Sequence, residues 1–276
     1  GGGTATAAEV LANKNARAAI SMIIDKQAYC DVILNNGSIP TSTFTPKGLA
    51  FDNGKDYTDL TEGMGYEYNE EQAKELWEKA KEEVGFDTVE MELLTFDHDT
   101  GKRTGEYIQS ELSDLEGLTV KVSNLPFKQK LERETNGEFD LAFSGWGADY
   151  PDPLTYLSTM QTGNQFSNQV GYNSEEYNKL IEEAMKLPIT EGYAKYAEAE
   201  KLMLEDGYLA PIYQKASAYL EKDYVSGQEL CESLGVSRTA VWKAIRQLEE
   251  QGYVIEAVRN KGYRLVEEAD VLTVAE

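Results

Sequence analysis

Residues 139–157 read FDLAFSGWGADYPDPLTYL. Phe139, Leu141 and Phe143 alternate with Asp140, Ala142 and Ser144, the period-2 signature of a strand buried on one face. Gly145 and Gly147 flank Trp146 and predict a turn free of Cβ clashes, while Pro151 and Pro153 hold the residues before them extended. Asp149 therefore stands on a stiff loop beyond a strand end, between Trp146 and Tyr150. Ligand-binding groups are commonly mounted on such loops. Asp, Gly and Pro clusters also make ordinary turns, in which Trp146 and Tyr150 would cap the edge of a core and Asp149 would turn the chain through its side-chain oxygen.

Upstream of this stretch, apolar spacing predicts helices from Asn13 and over 26–34, and Asn69 caps a helix over 70–84 that Gly85 stops, with Trp77 in its buried stripe. A strand over 88–96, a helix over 105–115 and a strand over 118–122 form a βαβ unit, for which a parallel pair and a right-handed crossover are expected. A helix over 127–134 and an Asn136-Gly137 turn lead into the quoted strand. Downstream, helices over 174–187 and 190–205, with Ser174 and Thr190 as caps, precede a strand over 208–220. This alternation predicts an α/β lobe, a sheet with helices on both faces, whose ligands sit in the crevice outside the strand ends.

With 276 residues, 41% of them hydrophobic, the chain can bury a core. A formal charge of −23 and a pI near 4.4 argue against broad nucleic-acid affinity. From Ser226 onward six Lys or Arg stand against nine Asp or Glu, a net of −3 out of −23, so the acidity belongs mostly to the first 225 residues. Cys30 and Cys231 are too few and too distant for a disulfide framework or a cysteine metal site. No run of about eighteen apolar residues is present. GGGTATAAEV lacks the basic start and apolar stretch of a secretory signal and reads as a linker or remnant over 1–12.

The string GWGADYPDPLTYL closely resembles the signature loop of the extracellular solute-binding proteins, family 5, which deliver peptides and sometimes nickel or other solutes to ABC importers. NARAAISMIIDKQAYCDVILNNGSIPTSTFTPKGL, with Ile24-Asp25-Lys26, resembles the same family's first helix. The resemblance runs over about 13–224 and implies a C-terminal lobe of the periplasmic-binding-protein type II-like fold. It implies a binding protein, not an enzyme, located extracellularly or at the cell surface. Asp149 would pair with a ligand's α-amino group, with Trp146, Gly147 and Tyr150 beside it, and ABC permease subunits would be partners. The family's N-terminal lobe precedes the first helix seen here, so one wall of the clamp is expected to be missing. Weak affinity and self-association through the open face follow from that expectation.

From 225 the character changes. A helix over 228–234, a turn at Gly235-Val236, a helix over 238–251 capped by Ser237 and two strands around Asn260-Lys261-Gly262 predict a small α+β segment over 225–276. Val-Ser-Arg-Thr-Ala-Val-Trp-Lys and Asn-Lys-Gly-Tyr-Arg-Leu resemble the winged helix-turn-helix of the biotin operon repressor and biotin ligase. The resemblance implies that Arg238, Thr239, Lys243 and Arg246 face DNA, with Arg259 and Lys261 on the wing. The segment reads as lacking that family's first helix, so that DNA binding would be weak or absent. On this alternative the chain is a cytoplasmic DNA-binding regulator with an attached sensor lobe. His98 lies between Asp97 and Asp99, but the spacing fails as a calcium loop and predicts a solvated turn. No nucleophile with its base, no metal site and no cofactor loop is indicated.

Overall fold

The computed structural model describes residues 3–215, 225–234, 236–250, 254–258 and 262–267. The chain divides into two compact units, 1–26 with 41–212, and 27–40 with 213–276.

The first unit is built on a parallel sheet. Its central strand, β2 (Phe86–Phe96), pairs along one edge with β3 (Leu118–Leu125). Its other edge is shared by β1 (Gly3–Ala5) at the start and β4 (Leu141–Ala142) at the end. Residues 3–11 are thus no linker: after β1, Thr6 caps helix α1 (Ala7–Leu11) through a reciprocal capping box with Glu9. Helices α2 (Lys14–Met22) and α3 (Glu70–Val84) start at Asn13 and Asn69 as the sequence predicts. Trp77 is buried, edge-on to Phe86, with its indole N–H on the Glu116 carbonyl at 2.9 Å.

Alternation along β2 sorts the layers. Val89, Met91 and Leu93 enter the core that α2, α3 and α4 (Asp99–Leu112) cover. Glu92, on the opposite face, receives Arg133 of α5 (Phe127–Thr135) in a bidentate pair at 2.7 and 3.0 Å. The connection through α4 steps from β2 to β3, and that through α5 steps back past β2 to β4. This reversal places successive crossovers on opposite faces and makes the carboxyl ends of β2 and β4 a topological switch point.

Two boundaries differ from the sequence reading for physical reasons. The quoted strand is only Leu141–Ala142, extended by the Phe143 N–H to the Leu94 carbonyl at 2.9 Å, because the Asp140 carboxylate takes the Glu92 N–H at 2.8 Å in place of a backbone acceptor. Helix α4 starts at Asp99 because His98 caps it: its Nδ1 accepts the Gly101 N–H at 2.9 Å, so the expected solvated turn is a helix start.

A second core is made by α6 (Leu154–Leu157), α7 (Gln165–Val170), α8 (Glu175–Ala184) and α9 (Ile189–Asp206). Ser174 caps α8 as expected, but Pro188 precedes α9, and Thr190 donates to Asp52 at 2.7 Å instead of capping.

In the second unit, Ile39–Pro40 pairs antiparallel with Tyr213–Gln214; of the strand expected over 208–220, residues 208–215 are described and only Tyr213–Gln214 is strand. Helices α10 (Gly227–Leu234) and α11 (Arg238–Glu250) and the hairpin of β5 (Val254–Val258) with β6 (Gly262–Glu267) pack around Leu230, Val241 and Ile245. Gly262 is required: at φ 109° a Cβ would lie 2.0 Å from the Val225 carbonyl oxygen. The expected loss of a first winged-helix element concerns 208–223, of which 216–223 lie outside the described residues, as do Arg259 and Lys261.

Candidate functional site

The loop after β4 leaves the sheet at the switch point. Three side-chain bonds hold it. The Trp146 indole N–H donates to the Thr155 carbonyl at 2.8 Å, the Tyr156 hydroxyl donates to the Trp146 carbonyl at 3.2 Å, and the Asp149 N–H donates to the Thr155 hydroxyl at 3.0 Å. Thr155 and Tyr156 sit on α6 and are buried, so the loop is tied to a fixed helix rather than to another loop. Pro153 precedes α6, and the Asp152 carboxylate accepts the Leu154 N–H at 2.8 Å, turning the chain into the helix.

Trp146 is half-buried, edge-on to Phe166, and Phe44 lies between Phe166 and Tyr156. Phe44 and Phe166 are the supports the sequence reading missed; neither lies near the loop in the chain, and α7, which carries Phe166, has no clear helical period. Asp149 is exposed, and among the described residues no hydrogen bond or ion pair engages its carboxylate. Tyr150 is 45% exposed. Partial burial, with Asp152 and Asp149 nearby, holds its hydroxyl above the usual tyrosine range, so it stays a neutral donor. The structure thus brings Trp146, Gly147, Asp149 and Tyr150 onto one exposed loop. The predicted relief of Cβ clashes is not the glycines' role: neither has a positive φ, and a Cβ on either would meet nothing within 4 Å.

Beneath the loop lies a charged cluster. Lys130 of α5 is fully buried and donates to Glu134 at 2.5 Å and to the Ser144 hydroxyl at 2.7 Å, with its ammonium 4.3 Å from the centre of the Phe96 ring. Ser144 also donates to Glu134. No group of three or more His, Cys, Asp or Glu among the described residues is arranged to hold a metal.

In the second unit Arg238, Thr239, Lys243 and Arg246 are exposed on α11. Arg238 donates to Gln228 at 2.9 Å, and the Arg246 guanidinium lies 5.2 Å from the centre of the Trp242 ring, itself 53% exposed.

A parallel sheet covered on both faces, with a braced carboxylate-bearing loop at its switch point, defines the class: an α/β lobe. The chain belongs to the bacterial extracellular solute-binding proteins, family 5: residues 4–168 match the family's middle portion. A dipeptide-binding protein of Lactococcus lactis subsp. cremoris is 31% identical over 230 residues, 81% of this chain and 41% of that protein. The structure of Listeria monocytogenes OppA bound to peptide superposes with a TM-score of 0.70 at 36% identity, over 75% of this chain and 40% of that one. The chain spans about two fifths of the length of these relatives. Residues 215–264 match a helix-turn-helix domain. Over 54 residues, 20% of this chain and 17% of that protein, the chain is 50% identical to the bifunctional ligase/repressor BirA of Bacillus spizizenii.

Proposed function

We propose that the first unit is the peptide-binding lobe of a component that feeds an ABC importer, and that Asp149 takes the free α-ammonium of the peptide. The observation that carries this reading is the state of the loop: its backbone and indole are braced on α6 while its carboxylate is left unengaged among the described residues. A pre-positioned carboxylate needs little further ordering on binding, and a partner ammonium gains from partial desolvation by Trp146 and Tyr150. The relative named for dipeptides, and the solved structure bound to peptide, support the substrate class. Importer permease subunits, an extracellular or cell-surface location, a binding rather than enzymatic role and self-association through the face around Tyr150 belong to the same proposal. Calorimetry with short unblocked peptides tests it. Saturable binding that weakens on N-acetylation is expected; equal affinity for blocked and unblocked peptides contradicts the assignment of Asp149.

A second reading, a regulator of the biotin-repressor type with an attached sensor lobe, draws on the helix-turn-helix match and the exposed basic row on α11. Arg238, Thr239, Lys243 and Arg246 would then meet the major groove, with Arg259 and Lys261 on the wing. The acidity of the chain favours the first reading.

A further inference from the structure

The least expected feature of the first unit is the polarity of α5. Its apolar Phe127 and Leu131 are 51% and 40% exposed, while its only buried side chains are the charged Lys130 and Glu134. Burying an ion pair removes both charges from water, and such pairs commonly add no stability over apolar replacements of similar size. Nor is the pair needed to dock the helix. Arg133 already joins α5 to β2 through its bidentate pair with Glu92, which also accepts from Ser123 at 2.5 Å, and Arg133 donates to the Glu138 carbonyl at 2.7 Å.

What the pair reaches beyond its own helix is Ser144, the last residue before Gly145-Trp146-Gly147. Lys130 and Glu134 both contact its hydroxyl, and the three groups close a ring of hydrogen bonds. The Phe96 ring, at the carboxyl end of β2, closes one side of the ammonium, and it also makes near-parallel ring contacts with His98 and Phe127. Two of its three members, Lys130 and Glu134, are buried, and a closed polar network with a buried ion pair specifies one geometry where an apolar contact would allow several. Here the geometry specified is the departure angle of the loop, which Thr155 and Tyr156 hold from the other side at Trp146 and Asp149.

We propose that Lys130 and Glu134 are positioning residues for ligand recognition, acting through Ser144 to hold the Trp146–Asp149 loop where the Asp149 carboxylate meets the ligand's ammonium. The inference rests on the peptide-binding reading above and assigns it a third layer of residues, none of which touches ligand.

The test uses the full chain in four forms: unchanged, Ser144→Ala, Glu134→Gln and the double replacement Lys130→Met/Glu134→Leu. Each is measured for thermal stability, for the ratio of affinities for a short peptide and its N-acetylated form, and for the position of the Trp146 indole N–H resonance. The double replacement removes both charges together and keeps the core filled, so it is expected to fold with an unchanged or raised Tm. Its affinity ratio is expected to fall about tenfold, since small displacements of a recognition group are that costly. Ser144→Ala, at an exposed backbone position, is expected to lower the ratio in the same way with little change in Tm, and it decides the matter if the other variants fail to fold. Retention of the ratio in folded Ser144→Ala or in the double replacement overturns the inference. If the unchanged chain itself shows no preference for the free amine, the peptide reading fails. The Trp146 resonance then decides this one: a shift in the variants upholds the positioning role, and an unmoved resonance overturns it.

Discussion

Gly147 stands with open space where a Cβ would lie and an ordinary negative φ, so the fold does not require glycine there. Gly147→Ala is expected to leave Tm within a degree or two of the parent, because a tolerated glycine replacement alters stability by about 0.4–1 kcal/mol. The same methyl is expected to weaken a peptide seated against that backbone, measured by calorimetry. A second residue carries a pH signature. Lys26 is buried, donating to the Ser42 hydroxyl at 2.8 Å and the Tyr66 carbonyl at 2.6 Å. Burial pushes its pKa down to about 8, against the opposing pull of Glu67. Between that value and 10.5 the unfolded chain holds more protons, so this group makes stability rise with pH. Cys30, pushed up to about 11 by burial and then by Asp31, works the other way above 9.0. Tm should therefore rise from about pH 8 to 9 in the parent and rise less steeply there in Lys26→Met; an identical slope in both would remove Lys26 as the cause. The placement of Asp149 and Trp146 on a loop was legible in the sequence because Gly, Pro and aromatic residues punctuate a loop in ways neighbours cannot disguise. Lys130 and Glu134 were not, since an i,i+4 pair in FKQKLERET reads as a solvated face, and only the fold back onto Ser144 buries it.

At the level of elements, α9 carries Glu200 into the second core with four donors around it. Its Oε1 accepts the Phe44 and Thr45 N–H groups at 2.8 and 2.9 Å, and its Oε2 accepts the Thr45 and Tyr57 hydroxyls at 2.8 and 3.0 Å. Burial pushes the carboxyl up, opposed by those bonds. Glu200→Leu removes the acceptor and leaves the Phe44 N–H and the buried Thr45 N–H unpaired, and is expected to lose about 1–3 kcal/mol, read from denaturant midpoints. An unchanged midpoint would mean that the segment over 41–45 does not depend on this tie. Because Phe44 also supports the aromatic cluster under Trp146, loss of Glu200 should loosen the loop as well. Helix α2 was read from apolar spacing, and α3 and α8 from Asn69 and Ser174 caps before amphipathic runs, local signals that the structure keeps. Helix α9 begins after Pro188, a start that Thr190 mimics, and α4 begins at a histidine cap that apolar spacing cannot reveal. The strand β1 has no strand pattern of its own; it forms because β2 offers an unpaired edge to Gly3–Ala5.

For the whole molecule, the formal charge of −23 and the acidity of the first 225 residues set the outcome with nucleic acid. Repulsion slows encounter with a duplex, and three exposed basic residues on α11, Arg238, Lys243 and Arg246, offer few phosphate contacts. No sequence-specific mobility shift is expected at physiological salt; a specific complex lost on Arg238→Ala would promote the regulator reading. Composition marks a change of character at 225, whereas the structural units divide at 212 and place 27–40 with the C-terminal unit, through the pairing of Ile39–Pro40 with Tyr213–Gln214, remote in the chain. The central claim is that one carboxylate on the loop after β4 recognises a peptide's free amine. Calorimetry on the four combinations of parent and Asp149→Asn with a short peptide and its N-acetylated form measures that coupling directly. Each single change is expected to weaken binding by about 1.5–3 kcal/mol, the range for a hydrogen bond to a charged group, and the two together by little more than either alone. Additive losses, or an Asp149→Asn chain that binds the unblocked peptide as tightly as the parent, would contradict it.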